Sequence, residues 1–185
     1  MTRLIFLGPP GAGKGTQAQI LSQSHHIPHI STGDILRAAV EQETDLGNQA
    51  KAYMERGELV PDSLLLDLIR DRLTQPDATD SGWILDGFPR NVPQAEFLDH
   101  LLDDIQQECK SAISLEVPDK QLIDRLHGRG RSDDGDETIA RRLRVYYAQT
   151  IPVIDYYRER GRLIAINGNS SIETVAAILK KVVTS

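Results

Sequence analysis

A short apolar run, LIFL (Leu4–Leu7), passes directly into GPPGAGKGT (Gly8–Thr16) and then into the helix-forming stretch TQAQIL. Four glycines, a lysine and a threonine in nine residues read as strand, glycine turn, helix. In that arrangement successive backbone N–H groups and a helix N-terminus converge on one anion. The phosphate-loop pattern G-x-x-x-x-G-K-[ST] puts a hydroxyl immediately after the lysine. Here Gly15 holds that position and Thr16 follows one residue late. An incidental tight turn does not call for a lysine beside closely spaced glycines, so Lys14 is expected to reach the outer phosphates of a nucleotide.

The loop fixes the fold class. Five short apolar stretches read as strands: Arg3–Gly8, Pro28–Ser31, Gly82–Gly87, Ser111–Val117 and Arg162–Gly168. They are continuous apolar runs, as strands buried on both faces require. Segments of helical period separate them, with Ala95, Leu98, Leu101, Leu102 and Ile105 forming one stripe and Ile139, Leu143 and Tyr146 beginning another. Strands alternating with helices predict an α/β, three-layer P-loop fold with a five-stranded parallel sheet. Residues 31–75 break the alternation with three expected helices and no strand, the first opening on STGD, a capping-box pattern. Gly128–Glu137 (GRGRSDDGDE) is polar and glycine-rich and is expected to be a short, mobile surface loop.

Composition narrows the ligand. A net charge of −6 over 185 residues argues against general nucleic-acid binding, which needs a basic surface. Arginine outnumbers lysine 15 to 6, and six arginines fall between Arg125 and Arg144. Guanidinium forks grip phosphate oxygens bidentately, so an acidic chain with one arginine cluster points to a small, highly charged anion. The apolar runs, about five residues at most, fall far short of the ~20 that span a bilayer. The start, MTRLIFLGPP, does not read as a signal peptide. The single cysteine, Cys109, excludes an internal disulfide and a cysteine-rich zinc site, so a reduced, cytoplasmic setting is expected.

Four stretches, in order, resemble the adenylate kinases and their nucleoside monophosphate kinase relatives: GPPGAGKGTQ, STGDILR (Ser31–Arg37), WILDGFPR (Trp83–Arg90) and DRLHGRGRSDDGDETIARRL from Asp124. The resemblance runs from residue 4 to about 170. In that family glycine also follows the phosphate-loop lysine, so the loop is intact and of a distinct subtype. The resemblance implies a core of residues 1–30, 61–127 and 138–185, a monophosphate-binding insertion at 31–60, and a lid of the short form at 128–137. It implies donor contacts from Gly11, Ala12, Gly13, Lys14, Gly15, Thr16, Arg129 and, in NGNSS, Ser170. Acceptor contacts would come from Thr32, Arg37, Glu58, Leu59, Val60, Gly87, Phe88, Pro89, Arg90 and Gln94, with Arg131 and Arg142. Gln94 would read adenine, whose N6/N7 edge a side-chain amide can pair.

Lys14, Arg90, Arg125, Arg131 and Arg142 would then surround the phosphoryl group passing from ATP·Mg to AMP. Asp86, at a strand end, would orient magnesium-bound water, with no direct protein ligand to the metal and no structural zinc. Arg141 and Arg144 read as solvated, and His25, His26 and His29 as structural, without acidic partners. Asp133 and Asp134 could bridge to the lid arginines. Two rivals stand beside this reading. A guanine-nucleotide switch would need N-K-x-D, and no asparagine–lysine pair occurs. A P-loop kinase for UMP, CMP or another small molecule is opposed by Gln94 and by the full motif set. A monomer that binds ATP and AMP, and neither nucleic acid nor membrane, is the expectation.

Overall fold

The computed structural model describes residues 1–131 and 135–184. Five strands, β1 (Thr2–Leu7), β2 (His29–Ser31), β3 (Gly82–Asp86), β4 (Ser111–Glu116) and β5 (Leu163–Asn167), form one parallel sheet in the order β2-β3-β1-β4-β5. Ile5 registers with Leu85 on one side and Ala112 on the other, and Ser114 with Ala165. The expected strands are therefore all present, each shorter by a residue or two at an end except β1, which also takes in Thr2.

The run LIFL is apolar without alternation because both of its faces are covered. Ile5 and Leu7 enter one buried cluster with Trp83, Leu85 and Leu98, while Leu4 and Phe6 enter the other with Ile84, Ile113 and Leu115. The edge strand β5 departs from this pattern: Ala165 and Asn167 are exposed, since β5 has a neighbour on one side only.

The helices follow their sequence signals. In α6 (Val92–Asp104) the stripe Ala95, Leu98, Leu101 and Leu102 is buried, Asn91 caps the N-terminus, and Ile105 lies just past the last turn. Fully burying one such leucine is worth roughly 2 kcal/mol. Between β2 and β3 lie α2 (Thr32–Glu41), α3 (Asp45–Arg56) and α4 (Asp62–Leu73), as expected, and also a short α5 (Pro76–Ser81) that no apolar period announces. Helices α2 and α3 touch backbone to backbone, because a Cβ on Gly47 would lie 2.1 Å from Ala39 O. The STGD box is half-formed: Ser31 accepts from the Asp34 N–H, but the Asp34 carboxylate pairs with Arg37 instead of reaching back.

Beyond β4 come α7 (Asp119–Arg129) and α8 (Asp136–Val145), which take in both ends of the glycine-rich segment expected as a loop: Gly128 and Arg129 complete α7, and Asp136 and Glu137 begin α8. Its Asp133 and Asp134 lie outside the described residues. A π-helical turn (Tyr146–Thr150) joins α8 to α9 (Ile151–Glu159), and α10 (Ile172–Thr184) closes the chain. No helix among the described residues is long and apolar enough to cross a membrane.

Candidate nucleotide-binding cleft

The carboxyl ends of β1, β2 and β3 open on one crevice, the place where ligands bind in open α/β sheets. There the phosphate loop leaves β1 on Gly8 (φ +138°), where a Cβ would meet Leu115 O at 2.7 Å, so only glycine allows the loop to turn this close to β4. The loop ends on Gly13 in a left-handed conformation, and α1 (Lys14–His25) follows with no side-chain cap and no acidic residue in its first turn. Its first N–H groups, with their share of the helix dipole, are thus left for an anion.

Lys14 folds back over the loop, its Nζ donating to Gly8 O (2.8 Å) and Pro9 O (3.0 Å). Burial pushes its ammonium from the usual 10.5 down to about 8; Asp86 opposes the shift, and Arg90 and Arg129 add to it. Asp86 ends β3 almost buried, its Oδ2 lying 3.4 Å from His29 Nε2. His29 therefore has an acidic partner that the sequence does not reveal, because the two residues meet only through the pairing of β2 with β3.

After β3 the chain turns through Gly87–Arg90, with a cis bond between Phe88 and Pro89. Arg90 Nε donates to Gly87 O (2.7 Å) and its backbone N–H to Gln94 Oε1 (2.7 Å). Gln94 is buried and its Nε2 donates to Asp62 Oδ1 (2.7 Å). An amide carries two N–H groups and two lone pairs, so each end of Gln94 keeps one hydrogen-bonding position. Thr32 is buried beneath Asp86 O (3.4 Å), and Arg37 pairs with Asp34, to which Arg131 also comes within 3.9 Å.

Across the cleft, Arg125 donates to Ala12 O (3.4 Å) and Gly168 O (3.2 Å), joining the phosphate loop to the loop after β5. Gln17, buried in α1, reinforces the same junction through Ile172 O (3.0 Å). Arg141, expected to be solvated, reaches Glu58 Oε1 (2.5 Å), and Thr138 Oγ1 donates to Glu55 O (2.9 Å), so α8 rests on the end of α3. Glu58 also holds Arg56 (3.0 Å).

The result is one continuous cleft of about 1040 Å³. Its walls include Gly11–Thr16, Arg129 and Ser170 toward one end and Thr32, Arg37, Glu58–Val60, Gly87, Pro89 and Gln94 toward the other. Asp86, Arg90, Arg125, Arg131 and Arg142 line it as well. Phe88 alone among the expected site residues is not part of the wall; its side chain is fully buried in the core. Among the described residues no group of three or more histidine, cysteine or acidic side chains could hold a metal ion. A cleft of this volume, at the upper end for small-molecule sites, has room for more than one small polyanion.

A family model described as adenylate kinase matches residues 6–162. The chain is 57% identical over 180 residues to adenylate kinase 1 of Nostoc sp., covering 97% of each chain. It is 56% identical over 180 residues to adenylate kinase 1 of Synechocystis sp., covering 97% of this chain and 96% of that one. With the adenylate kinase of Leptospira biflexa it shares 52% identity over 187 residues, 98% of this chain and all of the relative.

Proposed function

The chain belongs to the adenylate kinase family, and from that premise we propose how its own residues carry an ATP:AMP phosphotransferase reaction. The enzyme moves the terminal phosphoryl group of ATP reversibly to AMP, giving two ADP. ATP lies with its phosphates on Gly11–Thr16 and its base between Arg129 and the loop bearing Ser170. AMP lies with its phosphate on Arg37 and Arg90 and its base against Thr32, Glu58–Val60 and Gln94. Gly87 and Pro89 bring backbone close to the acceptor phosphate, and Phe88 supports that turn from the core. Residues 31–60 and 128–137 act as two flaps on the remaining core.

Phosphoryl transfer needs little covalent help, because the charge spreads over oxygens that fixed positive groups can meet. Lys14, Arg90, Arg125, Arg131 and Arg142 supply those groups. No general base is required, since the acceptor phosphate oxygen is already ionised near neutral pH. Asp86 is a lone carboxylate beside the cradle, a donor suited to a hard cation held through water. Asp86 would hold magnesium through water, and the ion would supply neutralisation of the phosphate charge of ATP. The two flaps keep other water away from the phosphoryl group, which would otherwise be lost to hydrolysis.

The reading rests on one observation above all: phosphate-loop and insertion residues wall a single cleft, and Lys14 with six expected arginines lines it. The enzyme works as a monomer in the cytoplasm, a setting that suits a sole cysteine left as a buried free thiol. Steady-state assays with ATP·Mg and a panel of AMP, CMP, UMP and GMP test the assignment. AMP should turn over efficiently and the others poorly; a preference for CMP would overturn the role given to Gln94.

A further inference from the structure

Arg90 sits in the turn between β3 and α6, where no ladder of regular hydrogen bonds fixes the chain. Two side chains fix it instead. Gln94 accepts from its N–H, and Thr150 Oγ1 donates to its C=O at 2.8 Å. Thr150 lies 60 residues further along the chain and is itself buried.

Its position has a cause in the sequence. Pro152 lacks the N–H that would bond Ala148 O, and its ring crowds that carbonyl. The helix relaxes into a π turn, in which the Ile151 N–H reaches Tyr146 O five residues back. The wider turn keeps Arg142, Tyr146 and Thr150 together on the cleft side. The helix that carries Arg142 is thereby tied to the turn that carries Arg90. The tie has work to do: burial disfavours the Arg90 charge, Asp86 opposes that, and Arg142 and Arg37 add to it, so the two guanidiniums on the tied elements repel until an anion lies between them.

We propose that Thr150 is a positioning residue for Arg90, holding its main chain through the π turn so that Arg90 and Arg142 keep a fixed separation across the transferring phosphoryl group. This rests on the role given to Arg90 above. Thr150 commits its hydroxyl proton to Arg90 O. Its hydroxyl acts through Arg90 O, and its effect is felt where the arginine pair meets charge that develops during transfer.

The test is a cycle built on Thr150→Val, which removes the hydroxyl at nearly constant volume, with Thr150→Ser and Arg90→Ala. Losing the bond takes the donor from a part-buried carbonyl, so Thr150→Val should lower kcat about tenfold and leave the KM for ATP within about twofold of the parent. Thr150→Ser should restore most of kcat. In the Arg90→Ala background, itself slower by about a hundredfold or more, Thr150→Val should change the residual rate by less than about twofold. Thr150→Ala takes the place of valine if the valine variant does not fold. An unchanged kcat in the valine variant overturns the proposal, as does an equal loss with and without Arg90. Near-parental turnover by Arg90→Ala would instead bring down the role of Arg90, and the proposal with it.

Discussion

Lys14 carries its charge at a cost to the empty protein. Burial in the phosphate cradle brings it from 10.5 down to about 8, so its ammonium titrates where binding can be measured. About half of the empty protein bears the charge at pH 8 and about a tenth at pH 9. Phosphates of bound ATP hold the ammonium protonated, so the apparent Kd for ATP should double near pH 8 and then rise about tenfold per pH unit. Calorimetric titration at pH 7, 8, 9 and 9.5 reads this directly, and binding at pH 9 should take up close to one proton. Burial pushes Tyr146, which lines the cleft, far above its usual value; outside the cleft, burial takes the Cys109 thiol and Tyr156 up to about 12, and the bond to Asp119 does the same to Tyr147.

The same proton acts on stability with the opposite sign. Between about 8 and 10.5 the unfolded chain still binds a proton that the folded protein has released, so stability rises with pH. Measured against Lys14→Met, which cannot titrate, the parent should gain about 3 kcal/mol across that window. A Kd for ATP that stays constant to pH 9.5, or a Lys14→Met variant with the same pH profile as the parent, would refute the reasoning.

Two further predictions concern the scaffold. Gly82 starts β3 with φ +90°, and a Cβ there would lie 2.1 Å from Thr2 O. Gly82→Ala should therefore cost about 3 kcal/mol or more in denaturant unfolding, and parental stability would contradict the contact. Asp99 accepts from Arg162 (2.6 Å) and from the Tyr156 hydroxyl (2.7 Å) at the junction of α6 and α9. Asp99→Asn should cost about 1–3 kcal/mol without changing the KM for either nucleotide, since the cluster lies outside the cleft; a raised KM would show that it supports the site.

Much of the fold was legible because its signals are local. A strand buried on both faces must be apolar throughout, and β1, β3 and β4 read so. Helix α6 announces itself by its stripe and by Asn91. The short α5 was missed because PDATDS carries no apolar period, only Pro76 at its start. The exposure of β5 was missed because the strand order, not the strand's own composition, makes it an edge.

The candidate site was legible where single motifs hold the chemistry, as in Gly8–Thr16. Contacts between distant segments left no such mark. His29 meets Asp86 across 57 residues and Arg141 meets Glu58 across 83, and nothing local to either partner predicts the other. Thr150 falls between these cases: Pro152 signals a disturbed helix, but only the bond from Thr150 in the π turn to Arg90 O says what the disturbance is for. Phe88 shows the converse, a residue whose motif suggests ligand contact while its side chain fills the core.

The account's central claim is that one ring of positive groups holds two nucleotides with their phosphates facing each other. A dinucleotide of two adenosines joined through five phosphates tests it in a single titration. The account predicts one molecule bound per chain, with ATP and AMP both displaced. A complex in which the dinucleotide displaces ATP while AMP still binds, or in which two dinucleotides bind per chain, would contradict it.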